Sequence, residues 1–553
     1  MPRLPPQLDK RSSEGSGGPL EHLAQIARIS ELDELGQGEW TTLYEYQSDA
    51  NGSRCTYSGL LSAEAAGATL DTTDWDVSIG DGTPGFSVSY TDGKEITAYD
   101  GTGFRSAEPI LYVRNFHGMK PDQFDLSEEF RLFHNLYHDK INDRFVHFDD
   151  RGREEVACEI KPGRTRVLTK LLRQYMAARQ LTLALFFDHR AEVDSALKLG
   201  GENLKDAQIK LADRCYSFNT GSLSPNRVFS RLVGKKIIAP DPVDKSGVWP
   251  FKKKSERKFE DFIIGVANDG ASVLSTCNPD DLANYFGANE DAPHYLTPVW
   301  FSKVVLSKYY DDSSKFSVED GYLRCGSLWG IQIDNDLPDH VVVFLGDLGR
   351  DLDWEEQRYW RHYNVTPGER QQSATSFKRS FMAQFSDPAE PDLVFKREYT
   401  HVNELWEKAF GWPLFRPLHA SDAHIFTQFR IPITESFGEF EGQLIALTKL
   451  MVDSLNESEI ARKSGGSVSD EKGISKFERL LVQQKYPHVE RDIALLRSIQ
   501  GLRSTGAAHA KGERFDKVAA SVGLGRSSPR DVFREFLVRV NKMFESLSEH
   551  FGS

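Results

Sequence analysis

An arginine and a histidine near the C-terminus have the types and spacing for chemistry on a phosphate. Arg503 and His509 flank five small residues, 504–508. A histidine titrates near neutral pH and can move protons, whereas an arginine stays charged and donates hydrogen bonds in a fixed fork. Together they would suit metal-free cleavage of RNA, in which the adjacent 2′-hydroxyl attacks and charge develops on the phosphate. The small residues would leave room for a sugar-phosphate backbone.

The spacing of this pair raises a geometric problem. Six residues of an ideal α-helix turn through about 600°, so the two side chains would point about 120° apart. Either Gly506 breaks the helix, or two such motifs meet across a dimer axis. The structural alternative is that Arg503 and His509 cap the last carbonyl groups of a helix, because the helix dipole favours cations at that end.

Three further basic residues follow the pair at helical spacing. Lys511, Arg514 and Lys517 would extend a phosphate-contacting edge and would then bind RNA. Glu513 and Asp516 are interleaved with them, and this favours an ordinary exposed helix surface.

The charge of the chain is unevenly distributed. The whole chain has a net charge of −14, yet residues 472–542 contain fifteen basic and seven acidic side chains, a balance of +8. Such an asymmetry indicates a site for a polyanion at the C-terminal end. A solvated helical surface is the alternative explanation.

The elements that must position these residues are helices. Four apolar stripes at helical spacing predict four helices, and a four-helix bundle is the simplest arrangement that buries all four. The stripes are Phe440, Leu444, Leu447, Met451 and Leu455; Ile474, Phe477, Leu480 and Leu481; Leu495, Leu496, Ile499 and Leu502; and Phe533, Phe536, Leu537, Val540, Phe544, Leu547 and Phe551. Arg503 and His509 come at the end of the third predicted helix.

With this motif at this place, residues 431–553 resemble the HEPN family, whose ribonuclease members carry Arg-x(4–6)-His at the end of the third of four helices. The resemblance implies a metal-independent endoribonuclease, a hydrolase with no cofactor, in which Arg503 and His509 are catalytic and Ser504 is supporting. It also implies a homodimer with a composite site. Many members have an amide or an acid directly after the arginine, whereas this chain has Ser504.

Resemblance also implies a biological setting. HEPN ribonucleases often act as toxins or in antiviral defence, so the N-terminal region is expected to respond to a phage-derived or cellular trigger. The rival hypothesis is a non-catalytic sensor or scaffold that uses the helical bundle for dimerisation. RNA cleavage by the purified protein would discriminate between the two.

The rest of the chain predicts a multidomain α+β protein. Residues 21–124 contain short β-type runs, and residues 125–364 contain an approximate repeat that predicts two tandem α+β modules, each with a helix ending in Tyr175 or Tyr309. The predicted order is a disordered tail (1–20), a β-rich domain (21–124), the tandem modules (125–364), a connector (365–430) and the helical bundle (431–553).

Other candidate sites favour structural explanations. His134 and His138 have the i, i+4 spacing of metal ligands, but their aromatic neighbours indicate a core helix. His419 and His424 lie in a loop-rich segment. The glycine-bearing segment 346–351 follows an apolar strand and would suit phosphate at a helix N-terminus, yet its two acids favour a packing turn. No metal site is predicted.

Size and composition exclude several classes. With 553 residues, the chain exceeds the usual size of one domain. It has no run of about 18 apolar residues and no secretory signal at its start, so no membrane association is expected. Its five scattered cysteines form no CxxC pair, and this predicts a reducing, cytoplasmic location.

Overall fold

The computed structural model describes residues 32–73, 85–100, 107–194, 206–252, 257–466, 471–504 and 513–552. The fold is mixed α+β, with a large β-rich N-terminal part and helices towards the C-terminus, as the sequence predicts. The chain divides into two compact units: unit 1 is Met1–Asp149 with Arg153–Ser255, and unit 2 is Asp150–Gly152 with Glu256–Ser553. The predicted tail, 1–20, lies outside the described residues. No helix in the described part is long and apolar enough to cross a membrane.

Unit 1 is built around a large antiparallel sheet. Its strands are β1 (Trp40–Asp49), β2 (Gly52–Leu61), β3 (Gly85–Thr91), β4 (Lys94–Asp100), β5 (Ala107–Glu108), β6 (Leu111–Arg114), β7 (Gln123–Leu126), β8 (Tyr137–Asp139), β9 (Arg144–Phe148), β10 (Glu154–Lys161), β11 (Arg164–Leu168), β12 (Thr182–Asp194), β13 (Ala207–Lys210), β14 (Arg214–Ser224) and β15 (Arg227–Ile238). Its helices are α1 (Ala63–Thr69), α2 (Glu128–Phe133) and α3 (Thr169–Arg179). The sheet order is β13-β14-β15-β12-β2-β1-β11-β10-β9-β8, with β5 paired to β2, while β3-β4 and β6-β7 are separate hairpins.

Helix α3 covers one face of this sheet. Its residues Leu172, Tyr175 and Met176 are buried and share a hydrophobic cluster with Val167 and Leu183 on the strands. The predicted helix face is confirmed for Leu171, Leu172 and Tyr175, whereas Val167 and Leu168, predicted on the same face, end strand β11. The buried face of α3 stabilises the sheet because each fully buried aliphatic or aromatic side chain contributes roughly 1.5–3 kcal/mol.

The first predicted domain boundary differs from the observed division. Strands β1 and β2 lie in the predicted β-rich domain, whereas β8–β12 lie in the predicted first module, yet all of them belong to one sheet. The junction is the antiparallel pairing of β1 with β11, in which Trp40 lies opposite Leu168. The pairing of β1 with β11 could not be predicted, because the order of apolar and polar residues along a strand does not show which distant strand it pairs with.

Unit 2 begins with small sheets and continues with helices. Its strands are β16 (Asp261–Val266), β17 (Ser272–Thr276), β18 (Pro298–Ser302), β19 (Phe316–Glu319), β20 (Tyr322–Cys325), β21 (Trp329–Gln332), β22 (His340–Phe344) and β23 (Asn364–Val365). Its helices are α4 (Ser307–Asp311), α5 (Leu345–Asp351), α6 (Trp354–His362), α7 (Ala374–Phe381), α8 (Pro391–Phe410), α9 (His424–Gln428), α10 (Phe437–Thr448), α11 (Glu457–Lys463), α12 (Gly473–Gln483), α13 (Val489–Leu502), α14 (Glu513–Ser521) and α15 (Pro529–Phe551). The sheet orders are β16-β17, β22-β18-β23 and β19-β20-β21.

The helix that the sequence predicts in the second repeat copy is wrong. Pro298–Ser302 is strand β18, which pairs with β22 and β23, and a 3₁₀ helix (Lys303–Leu306) and the short helix α4 (Ser307–Asp311) follow it. Val299 and Phe301, predicted on a helix face, are buried in the sheet. The β-branched and aromatic residues of this segment suit a strand buried on both faces, and that pattern also fits a helix. The two repeat copies therefore do not share one local structure.

The predicted connector, 365–430, contributes a long helix to the C-terminal core. Helix α8 has 20 residues, with Pro391 in its first turn and Gly411 as a left-handed cap at its end. Phe395 packs against Phe544 with ring centroids 5.6 Å apart, and Trp406 packs against Phe551 at 4.8 Å. A large part of the predicted connector is thus a helix that packs along α15.

The four predicted C-terminal helices correspond to α10, α12, α13 and α15. Their apolar stripes are buried in one cluster, except that Phe551 is only partly buried. Helix α10 ends at Thr448 and is extended by a π-helical turn, Lys449–Asp453. Because α8 also enters this core, five longer helices pack here in the described residues, and the simple four-helix bundle is not confirmed.

Candidate phosphate-binding site at the end of helix α13

Helix α13 ends directly before the predicted site. Leu502 is its last residue, and the N–H of Arg503 caps it by donating to the carbonyl oxygens of Ile499 and Gln500. The stripe that fixes the helix in the core includes Leu495, which is buried together with Ile499 and Leu502. The buried stripe therefore sets the position of Arg503 at the end of the helix.

The side chain of Arg503 is partly buried and has no acidic partner among the described residues. Most neighbouring arginines have one: Arg479 pairs with Glu471, Arg491 with Asp492, Arg497 with Glu478, Arg530 with Asp339, and Arg534 with Glu390. The other described arginines of this segment without a carboxylate partner, Arg526 and Arg539, are exposed. A partly desolvated cation without a counter-charge is a place where an anion binds favourably.

Ser504 lies beside Arg503 and is exposed. Its Oγ donates a hydrogen bond to the carbonyl oxygen of Gly501 at 3.1 Å. This bond satisfies one of the carbonyl groups that a helix leaves unpaired at its C-terminal end. Ser504 therefore stabilises the end of α13.

Helix α14 packs beside α13 and carries the described part of the predicted basic edge. Val518 of α14 lies 3.5 Å from an ideal Cβ at Gly501 of α13, which is an ordinary van der Waals distance. Lys517 is exposed on α14. Arg514 lies on the same helix. His509 and Lys511 lie outside the described residues, so the predicted pairing of Arg503 with His509 remains a prediction.

Comparison with protein-family models, curated proteins and solved structures found no match. The HEPN resemblance therefore remains a proposal that depends on the motif and its place at the end of α13.

The candidate histidines have structural positions, but the core helix predicted for His134 and His138 is wrong, because the two residues lie on different elements. His134 caps helix α2, and its Nε2 donates to the carbonyl oxygen of Leu171 at 2.9 Å, whereas His138 lies on strand β8. His419 caps a short 3₁₀ turn through a bond from the N–H of Ser421. No group of three metal-ligating residues forms within the described parts of the chain.

The glycine-bearing segment after β22 is a packed helix. Gly349 lies against the Cys277 carbonyl oxygen, only 1.8 Å from an ideal Cβ, so no side chain fits there. The hydroxyl of Tyr295 donates to Asp347 at 2.9 Å, and burial raises the pKa of Asp347. The segment forms helix α5 where a turn was expected, and its role in packing is as expected.

One feature had no signal in the sequence analysis. A cavity of about 210 Å³ lies beside the start of helix α7 and is lined by Asp320, Asp334 and Arg379, among others. Asp320 lies in the turn after strand β19, where acidic residues are common in any protein, whereas Asp334 forms an isolated β-bridge with Val342. Only the tertiary fold brings them together.

Proposed function

We propose that the protein is a metal-independent endoribonuclease of the HEPN type, with Arg503 and His509 as catalytic residues and Ser504 as a supporting residue. The observation that carries the proposal is that Arg503, a partly buried residue, has no carboxylate partner in the described part of the helical region. Arg503 would hold the phosphate and His509 would move protons, while the substrate's 2′-hydroxyl attacks. Lys517 would contact the RNA backbone farther along.

The proposal includes an assembly and a setting. Two copies would form a homodimer through the helical region, so that two motifs face each other in one composite site. The protein would act in the cytoplasm as a defence or toxin effector, and its N-terminal region would respond to a phage-derived or cellular trigger. The rival function is a sensor or scaffold without catalysis.

The test is cleavage of labelled RNA by the purified full-length protein. We expect His509→Ala to reduce the rate by roughly 10²–10⁴-fold while the melting temperature stays unchanged. Arg526→Ala is the matched control, because Arg526 is an exposed, unpaired arginine of the same region. Wild-type protein that cleaves no RNA, or a His509→Ala variant with full activity, would favour the scaffold.

Two further measurements test the mechanism and the assembly. Cleavage should survive EDTA and leave 2′,3′-cyclic phosphate ends, since the attacking group belongs to the substrate. Light scattering should show a dimer at micromolar concentration. A fully active monomer would contradict the composite site, and restoration of lost activity by magnesium would contradict the metal-free mechanism.

A further inference from the structure

The cavity beside helix α7 is formed by three segments of unit 2. They are the turn between β19 and β20 (320–322), the segment at the end of β21 (332–336), and the first turns of α7 with its cap (373–379). Its volume of about 210 Å³ is below the roughly 300–1,000 Å³ of sites for drug-sized ligands. The space therefore suits a small ion or molecule.

Asp334 is the most deeply buried carboxylate of the cavity, with 5% of its surface exposed. Its Oδ2 accepts a hydrogen bond from the Ser373 N–H at 2.8 Å, which ties it to the start of α7. Its Oδ1 is buried and has no hydrogen-bond partner. Buried polar atoms are nearly always paired, so an unpaired carboxylate oxygen in the wall of a cavity indicates a missing donor.

The arginine of the cavity does not supply that donor. Arg379 forms a bidentate pair with Asp320, at 2.9 and 2.7 Å, and its Nε donates to the carbonyl oxygen of Ser386. Asp336 uses Oδ1 to accept the N–H groups of Ala389 and Glu390. With Arg379 balanced by Asp320, the lining has two further carboxylates, those of Asp334 and Asp336, and no further basic side chain.

We propose that this cavity binds a small organic cation with N–H donors, an alkylammonium or guanidinium group, and that Asp334 Oδ1 is its principal acceptor. Binding would give a desolvated carboxylate both an opposite charge and a hydrogen bond. Burial raises the pKa of Asp334, and the N–H and hydroxyl of Ser373 and the N–H of Asp336 oppose this shift only in part. The proposal is independent of any activity at Arg503.

Isothermal titration calorimetry on the full-length protein tests the proposal with 1,4-diaminobutane and methylguanidine. The uncharged 1,4-butanediol has the same length as the diamine and serves as the control ligand. We expect one or both cations to bind and the diol not to bind. The absence of binding by both cations, or equal binding of the diol, would overturn the proposal.

Two variants, Asp334→Asn and Ser376→Leu, locate the binding site, and Ala374→Leu is the control for the second. Asp334→Asn keeps the size of the side chain and an acceptor for Ser373, and should weaken cation binding at least about tenfold. Ser376→Leu fills the cavity from helix α7, whereas Ala374→Leu places the same side chain at an exposed position of that helix.

We expect Ser376→Leu to abolish binding and Ala374→Leu to leave it unchanged, with melting curves confirming that the variants fold. If Asp334→Asn does not fold, the pair of leucine variants still decides. Binding that survives Ser376→Leu would place the cation elsewhere and overturn the proposal.

Discussion

The end of helix α13 and the cavity beside helix α7 each have a charged group without a full set of partners, and the two charges have opposite signs. At α13, the partly buried Arg503 has no carboxylate partner among the described residues. In the cavity, Arg379 is neutralised by Asp320, and it is the carboxylate of Asp334 that has an unpaired oxygen. An unpaired charge that is partly removed from water raises the free energy of the folded protein, and a ligand of the opposite charge lowers it. In both proposals, the sign of the expected ligand follows from one unpaired charged group and not from the net charge of the whole chain.

The largest expected effect comes from changing the cation at α13. Arg503→Ala should reduce RNA cleavage by roughly 10²–10³-fold, because a donor to the developing charge is lost. Arg503→Lys should recover part of this loss, since the charge remains but the fork is absent. The Arg503→Ala/His509→Ala double variant should be little slower than either single variant. Rates for these three variants and for His509→Ala are measured on one RNA, and multiplicative losses in the double variant would contradict a shared site.

The buried side chain of His134 in unit 1 should make the folding stability depend on pH. Burial lowers the pKa of His134 to about 4, while its hydrogen bond to Leu171 opposes this shift. An unfolded chain titrates this group near pH 6.5, so between pH 6.5 and 4 only the unfolded chain binds the proton, and stability falls as the pH falls. The full contribution is present above about pH 6.5, and the loss by pH 4 is roughly 3 kcal/mol, at about 1.4 kcal/mol per pH unit.

Hydrogen exchange of unit 1 amides across this pH range measures that slope. His134→Gln should lack it, and His117→Asn, at an exposed position, should keep it. Asp334 should change the stability with pH in the opposite direction. Its pKa is raised in the folded protein, so the folded chain binds the proton more tightly than the unfolded chain. The contribution of Asp334 to folding stability therefore decreases as the pH rises above 3.8. A His134→Gln variant with an unchanged slope would contradict the assignment.

A satisfied buried carboxylate sharpens the contrast with Asp334. Asp492 is 1% exposed, and it accepts hydrogen bonds from Tyr486 Oη at 2.6 Å and from Arg491. Asp492→Asn should lower the free energy of unfolding by about 1–3 kcal/mol, because buried donors lose their acceptor. Asp334→Asn should change it by less than about 1 kcal/mol, because Oδ1 has no partner to lose. Urea unfolding of both variants makes the comparison, and equal losses would contradict it.

The smallest effect is expected at the edge of the α13 site. Lys517 is exposed, so Lys517→Ala should weaken RNA binding less than tenfold and reduce the slope of log affinity against log salt by about 1. Binding titrations at several salt concentrations measure both. A variant with a full salt slope would show that Lys517 does not contact the phosphate backbone.

The sequence by itself determined the helices of the C-terminal region and the place of Arg503. Stripes such as Leu495, Ile499 and Leu502 repeat at helical spacing, and a helix must bury such a stripe, so local pattern and final structure agree there. The mixed α+β class follows in the same way. The start of helix α8 was harder to predict from the sequence, because a proline such as Pro391 is common both in loops and in the first turn of a helix.

Tertiary structure alone decided the features that depend on distant partners. Val299 and Phe301 belong to a strand because β22 and β23 lie on either side of β18 to accept its hydrogen bonds; an apolar run alone suits either a helix or a strand. The cavity required the fold to bring Asp334 beside Ser373, 39 residues away in the chain. Spacing along a sequence predicts contacts within one helix or strand, whereas contacts between such elements depend on how the chain packs.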